Sequence, residues 1–266
     1  MEKQLSYPRG LSGETNIMNS VKTNAILRIA SIITFFLIWH VFSIFVDVEL
    51  LPGPHDVSKK IIEEAQSSEL FFHTFITLKR VIISFIIAMF VGTFFGLYMG
   101  RNEKANVVLD DWLVLGLNVP ALVIIILCYV WFGLNELAAI LAVSLNKIPM
   151  VAVIMREGSR AIEQDYLDVA KFYKIKKSRM FFKVILPQLY PYLLSSARSG
   201  LSLIWKIVLV VELLGRSNGV GFKLYGFFQF FDISGILAYT LAFVILIIFV
   251  EFLLIRPFER KISVWK

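Results

Sequence analysis

Apolar residues fall into six long, continuous runs separated by polar connections: Ile29–Val46, Val81–Met99, Leu113–Phe132, Leu137–Met155, Leu189–Leu214 and Ile236–Ile255. Each run is close to the roughly 20 residues that a helix needs to cross the hydrocarbon of a bilayer. None alternates apolar with polar positions, and each far exceeds a single barrel strand, so the pattern predicts helices throughout. The expectation is an all-α polytopic membrane protein with six transmembrane helices. The membrane domain covers 29–255, an N-terminal segment 1–28, and a C-terminal tail 256–266. Two connections have patterns of their own. Leu51-Pro52-Gly53-Pro54 predicts a rigid turn, because each proline fixes its own φ and biases its predecessor towards extended backbone. The stretch Val57 to Leu70 mixes apolar and charged positions and predicts a short helix along the outer surface.

Composition excludes the soluble alternatives. Of 266 residues, 58% are apolar, 14% are aromatic and only 18% are charged, with 24 phenylalanines and a mean hydropathy of +0.74. Soluble domains are about one quarter charged. This balance excludes an ordinary cytoplasmic enzyme, a disordered tail and a secreted disulfide scaffold. The net charge of +7 needs no nucleic acid, because Lys and Arg sort to one side of the bilayer. With the N-terminus inside, the inner segments 1–28, 100–112, 156–188 and 256–266 are rich in Lys and Arg. The outer segments 47–74, 133–136 and 215–235 hold only Lys59, Lys60, Arg216 and Lys223. Both termini are therefore expected in the cytoplasm. No cleavable signal peptide is apparent, so the first span is expected to remain in the mature protein. Cys128 is the single cysteine and sits in an apolar run, which excludes a disulfide within the chain and predicts a small buried hydrophobe.

The motifs of soluble enzymes are missing: there is no HExxH, G-x-S-x-G, P-loop or dinucleotide fingerprint. His40, His55 and His73 are widely spaced, with His55 and His73 expected in the outer connection, and no metal site is expected from them. No residue is a candidate catalyst of bond chemistry. Gly92, Gly96 and Gly100 recur at every fourth position, which puts them on one helix face that another helix can approach closely. Packing within the chain is preferred there over a seam between subunits.

The basic connection 156–187 carries the sharpest pattern. Leu167, Ala170, Tyr173 and Lys174 share one helical face, and Met180, Phe181, Val184 and Ile185 form a second apolar stripe. The pattern predicts two short helices with a polar joint, closed by Leu186-Pro187. A merely solvated linker does not need apolar residues persisting on one face. The segment resembles the EAA loop of permease subunits of binding-protein-dependent ABC importers. The matching positions are Asp168, Ala170, Leu186 and Pro187, with Lys174 where the family has glycine and Val169 in place of one small residue. Leu51-Pro52-Gly53-Pro54, Trp131-Phe132-Gly133-Leu134, Trp205, Glu212-Leu213-Leu214-Gly215 and Gly219-Val220-Gly221 resemble the nitrate/sulfonate/taurine branch, to which bicarbonate permeases are similar. The resemblance runs from Leu51 to the C-terminus. Glycine would permit a sharp joint at 174, so lysine there is expected to make the joint straighter or differently closed.

The resemblance implies a type I importer permease (MetI-like) fold in a bacterial inner membrane, and a dimer formed with a second copy of the chain. It implies a cytoplasmic ABC ATPase that supplies ATP and Mg, docking of the coupling loop through Asp168, Ala170, Lys174, Leu186 and Pro187, and a periplasmic or lipid-anchored binding protein. No cofactor is expected in the chain itself. Charges inside the spans are costly and tend to face a cavity or a partner. Lys147, Lys206 and Glu212 are therefore candidates for a translocation path, with the two lysines favouring an anion. The alternatives are that Lys147 pairs with a carboxylate, and that Arg198, Lys206 and Glu212 support packing or snorkel to the interfaces. The sequence speaks against three rival functions. An intramembrane enzyme lacks paired acids or clustered histidines, a channel does not need the long basic connection, and an ion-coupled secondary transporter of a small organic anion would show inverted repeats that the sequence lacks.

Overall fold

The structure, a computed structural model, describes residues 11–47 and 49–255. Lys3, Arg9 and the tail 256–266, on which part of the orientation count rests, lie outside the described residues. Every regular element among the described residues is helical. The chain divides between Lys59 and Lys60 into two units.

The first unit holds α1 (Leu11–Phe45) and the start of α2 (Pro54–Gln66). The Trp39 indole donates to the Pro52 carbonyl at 3.1 Å and fixes the chain as it leaves α1. Pro54 then opens α2, where its missing N–H would have had no helical partner. Asp56 reaches back to accept from the Gly53 N–H at 3.2 Å, which satisfies a further orphan donor of the helix start. The Leu-Pro-Gly-Pro turn and the short helix expected after it are thus both present, the helix starting three residues before Val57.

The second unit contains α3 (Glu69–Arg101), α4 (Glu103–Asn118), α5 (Ala121–Phe132), α6 (Glu136–Arg160), α7 (Gln164–Phe172), α8 (Lys177–Met180), α9 (Leu186–Gly215), α10 (Val220–Gln229) and α11 (Ile233–Val250). Asn102, Asn135 and Asp232 begin α4, α6 and α11, each accepting with its side chain from the N–H three residues on. A widened π-type segment, Phe181–Ile185, joins α8 to α9 without a break in the helix. Pro187 lies two residues beyond it and lacks the N–H that would otherwise donate back to the Lys183 carbonyl within the segment.

The helices α3 and α6 pack tightly, and the glycine face makes it possible. A Cβ on Gly92 would lie 2.5 Å from the Val151 Cβ, and one on Gly96 would lie 2.5 Å from the Ala152 carbonyl oxygen. That face is buried inside the chain rather than offered to a neighbour. Elsewhere in this unit Val81, Ile125, Ala142, Ile204, Val208 and Tyr239 form an apolar core shared by α3, α5, α6, α9 and α11.

Two expectations need correction. The run Leu113–Phe132 is no straight span, because α4 and α5 meet at a 98° bend. Pro120 removes a helical donor and holds Val119 extended at ψ 124°, so the helix stops and restarts in a new direction. Four helices among the described residues are long and apolar enough to cross a membrane, and five if the bent pair counts as one span. The fifth expected span, Leu189–Leu214, forms α9, 30 residues long, with Arg198, Lys206 and Glu212 along it. The second correction concerns His73. It lies inside α3, which starts at Glu69, and not in the preceding connection.

A branched side chain at position 96 has no room against α6. Gly96→Val is expected to lower stability by about 1–3 kcal/mol, the usual cost of overpacking a tight interface. Thermal unfolding of the purified chain in detergent would read this as a lower Tm, and an unchanged Tm would mean that the two helices are not held this closely.

Candidate functional site

Two assemblies stand at the two ends of α9, and the intramembrane charges lie between them. At the first end is α7. Its inner face places Ala170 and Leu167 against the bundle, with Leu167 on the cluster of Met155, Ile185 and Leu189. The Glu163 N–H donates to Gln188 Oε1 at 3.0 Å, and the Gln188 amide donates to the Val184 carbonyl at 2.9 Å. These contacts strap the short helix to the start of α9. Its outer face presents Tyr166, Val169, Phe172 and Tyr173, the last two 81% and 72% exposed. Asp165 and Asp168 border the same shallow groove. Asp168 pairs with Lys171 at 2.8 Å, and the ammonium holds the exposed carboxyl below the usual carboxylate range.

The exposed apolar face is therefore one step round the helix from the face anticipated from the sequence. Leu167 and Ala170 point inward and Tyr173 outward. Leu186 is half-buried and Pro187 exposed at the start of α9. The joint after α7 is not straightened by lysine. Lys174 takes φ +50°, in the left-handed region that glycine normally fills. The Ile175 N–H donates to the Ala170 carbonyl at 3.0 Å and the Lys174 N–H to the Lys171 carbonyl at 2.9 Å. This paired closure is the Schellman motif, with lysine accepting a conformation that disfavours an L side chain by roughly 1–2 kcal/mol. The expected change of geometry at 174 is thus corrected. The backbone keeps the sharp joint because Leu167 and Ala170 hold the helix before it against the bundle, and the Ile175 N–H closes back onto the Ala170 carbonyl.

At the other end of α9, Glu212 is 0% exposed and Arg80 of α3 is 2% exposed. The Arg80 guanidinium donates to Glu212 at 2.8 Å, to both oxygens of Glu136 at 2.9 and 2.8 Å, and to the carbonyl and side chain of Asn218. All five donors of the arginine are used. Glu212 also accepts from the Thr77 hydroxyl at 2.9 Å and from the Gly221 N–H at 2.9 Å. It thereby caps the N-terminus of α10, where the helix dipole favours a negative group. Gly219, at φ +107°, carries no Cβ because the Glu212 carboxylate fills that space. Val220 donates to Thr77 at 2.8 Å, and Gly219 to His73 Nδ1 at 2.9 Å. His73 Nε2 in turn lies 3.1 Å from Glu69. One polar centre thus joins α3, α6, α9 and α10.

Sequence reasoning had Glu212 and the Gly219-Val220-Gly221 motif but missed Arg80, Glu136, Thr77, Asn218 and His73. A signal was present in the spacing. His73, Thr77, Arg80 and Ser84 follow one another at steps of four, three and four, on the face that Gly92, Gly96 and Gly100 continue. Between the two ends, Lys147 of α6 is 2% exposed. Its ammonium lies 2.6 Å from the Met150 sulfur and 3.4 Å from the Ser199 carbonyl, with no carboxylate among these partners. Gly200 on α9 leaves room for the lysine stem. Lys206 is exposed on another side of α9, so the structure does not bring Lys147, Lys206 and Glu212 into one cluster.

Comparison with known proteins adds an independent finding. Residues 88–264 match the family model described as binding-protein-dependent transport system inner membrane component. The chain is 29% identical over 221 residues to the putative aliphatic sulfonates transport permease protein SsuC of Bacillus subtilis, covering 83% of this chain and 80% of that one. It is 28% identical over 240 residues to the bicarbonate transport system permease protein CmpB of Synechococcus elongatus, covering 84% and 83%. Among solved structures, the inward-facing MetNI methionine ABC transporter superposes with a TM-score of 0.59 at 18% identity, over 71% of this chain and 93% of that one, and so shares the fold.

The buried pair makes a double-mutant test possible. Arg80→Met leaves Glu212 enclosed without its cation and is expected to destabilise the protein by about 3–5 kcal/mol. Adding Glu212→Met should recover part of that loss, because the uncompensated charge disappears with it. Thermal unfolding of both variants checks this, and strictly additive losses would mean that the two residues act independently.

Proposed function

The chain belongs to the binding-protein-dependent transport system inner membrane components, and on that premise we propose that it passes a small anion across the membrane as the permease subunit of an ATP-driven importer. The transported class is a sulfonate or taurine, nitrate, or bicarbonate, delivered by an external binding protein. Two sulfonate and bicarbonate permeases among its relatives and the cations Lys147 and Lys206 support an anion. The chain itself does no bond chemistry. ATP and Mg act on a separate cytoplasmic ATPase, and two copies of the permease enclose the path. Residues 1–28, 156–187 and 256–266 face the cytoplasm.

The observation that carries this reading is the aromatic face of α7. Tyr166, Phe172 and Tyr173 stand in solvent on a helix whose other side is fixed to the bundle. An exposed apolar patch on a rigid support is the surface expected to enter a partner's cleft. Helical backbone then runs without a break from Lys177 to Gly215, about 58 Å at 1.5 Å per residue. Movement of α7 as the ATPases close is passed through Leu167, Ile185 and Leu189 into α9. The polar centre at Glu212 hands it on to α3, α6 and α10, so the helices rock as one body.

Replacing both Phe172 and Tyr173 with aspartate removes the docking surface without touching the core. Anion uptake into cells carrying the full transporter is expected to fall at least tenfold, about 1.4 kcal/mol or more of coupling. Membrane levels of the permease should stay normal. Undiminished uptake would remove α7 from the coupling path.

A further inference from the structure

Lys147 of α6 is an enclosed cation that neither assembly uses. It is 2% exposed, and its polar partners among the described residues are the Met150 sulfur at 2.6 Å and the Ser199 carbonyl at 3.4 Å. A thioether is a weak acceptor, and the carbonyl lies at the limit of a hydrogen bond. Neither carries a charge. Enclosing a cation without a counter-charge is costly, and Arg80, the other deeply buried cation described above, is met by Glu136 and Glu212. The fold nevertheless makes room for this lysine. A Cβ on Gly200 of α9 would stand 3.3 Å from Lys147 Cε, so glycine there lets the stem pass.

Met150 decides what reaches the ammonium. It follows Lys147 by three positions, so the two side chains share one side of α6. Met150 is half-buried where Lys147 is enclosed. One side-chain layer thus lies between the ammonium and the surface of the chain. That layer is unbranched, with three rotatable bonds, and adapts readily to what lies against it. Ser199 is half-buried beside it and donates its hydroxyl to the Ser195 carbonyl at 2.8 Å, within its own helix. A hydroxyl can rotate from such a bond to one with a ligand. A carboxylate at position 150 would hold the lysine permanently. The thioether covers it and leaves its charge unanswered. One unanswered positive charge in a low-dielectric surrounding suits one negative charge, and a dianion would overshoot.

We propose that Met150 is a movable cover over an anion site at Lys147, where a small oxyanion of single charge displaces the thioether and binds the ammonium together with the Ser199 hydroxyl. This rests on the importer reading and deepens it, because it names the contact through which the permease itself selects solutes of single negative charge.

The test is equilibrium binding of radiolabelled methanesulfonate and of radiolabelled bicarbonate to the full chain, purified with whatever ATPase accompanies it, in nanodiscs of phosphatidylcholine. Saturable binding of at least one probe is expected, displaced by nitrate more readily than by sulfate. Lys147→Met should weaken it about tenfold or more, which is about 1.4 kcal/mol or more. Met150→Glu supplies a carboxylate within the chain and should abolish binding while the Tm stays at or above that of the parent. This second variant keeps the lysine, so it decides the matter even where Lys147→Met folds poorly. No saturable binding of either probe, binding indifferent to Lys147→Met, binding retained by Met150→Glu, or displacement by sulfate as ready as by nitrate would each overturn the proposal. Any of these with an ABC-type ATPase still attached refutes the site and leaves the importer reading standing. The expected binding with no ATPase attached does the reverse.

Discussion

The bundle depends on an arginine that cannot be left unsatisfied. In a membrane helix a guanidinium without partners is among the costliest groups a chain can enclose. Arg80 is satisfied only when three separate pieces of chain arrive together: Glu136 at the start of α6, Glu212 near the end of α9, and the backbone and side chain of Asn218 in the loop before α10. The same requirement fixes glycine at 219, because the carboxylate that answers Arg80 lies where a Cβ would stand. Thr77 and the N-terminus of α10 complete the shell around Glu212. This centre specifies one mutual arrangement of four helices, a task that apolar contacts, which tolerate sliding, perform less sharply.

The opposite end of α9 is built for contact rather than for closure. There α7 is held by buried Ala170, half-buried Leu167 and a backbone motif, and its remaining surface is aromatic and exposed. Lysine at position 174 shows how strongly the tertiary frame governs this turn. A residue that disfavours the left-handed region is nevertheless placed there, because Ala170 below it and Ile175 beyond it are already committed. A rigid element with a soft, apolar exterior suits the transmission of force from one subunit to another. It needs no titratable group at the contact.

Helix content and most boundaries were legible from the apolar runs, and the Leu-Pro-Gly-Pro turn from its prolines alone. The break at Val119-Pro120 was written in the sequence too, but an uninterrupted run of apolar residues conceals a change of direction, since lipid and core accept the same side chains. The glycine ladder revealed its face, and its preferred reading, packing within the chain, is the one the structure contains. Arg80 escaped notice for a physical reason. It lies next to Lys79 just before the apolar run of α3, where a basic residue looks like an interfacial anchor. Only the helical register of His73, Thr77, Arg80 and Ser84 betrays that it points inward. On α7, helical periodicity grouped Leu167, Ala170 and Tyr173 on one face, but only Leu167 and Ala170 turn to the bundle while Tyr173 stands exposed. It could not tell which arc of an apolar helix meets the bundle and which is left for a partner.

The central claim is that the exposed arc of α7, and not its buried arc, meets the ATPase. Site-specific cross-linking tests it most directly. The chain has one cysteine, Cys128, which is buried; after Cys128→Ala, single cysteines are introduced by Phe172→Cys or Ala170→Cys and exposed to a bifunctional thiol-to-amine reagent in native membranes. The account predicts a covalent product between the permease and an ABC-type ATPase from position 172 and none from position 170. A product from position 170 alone, or no ATPase adduct from position 172 in membranes that still transport, would contradict it.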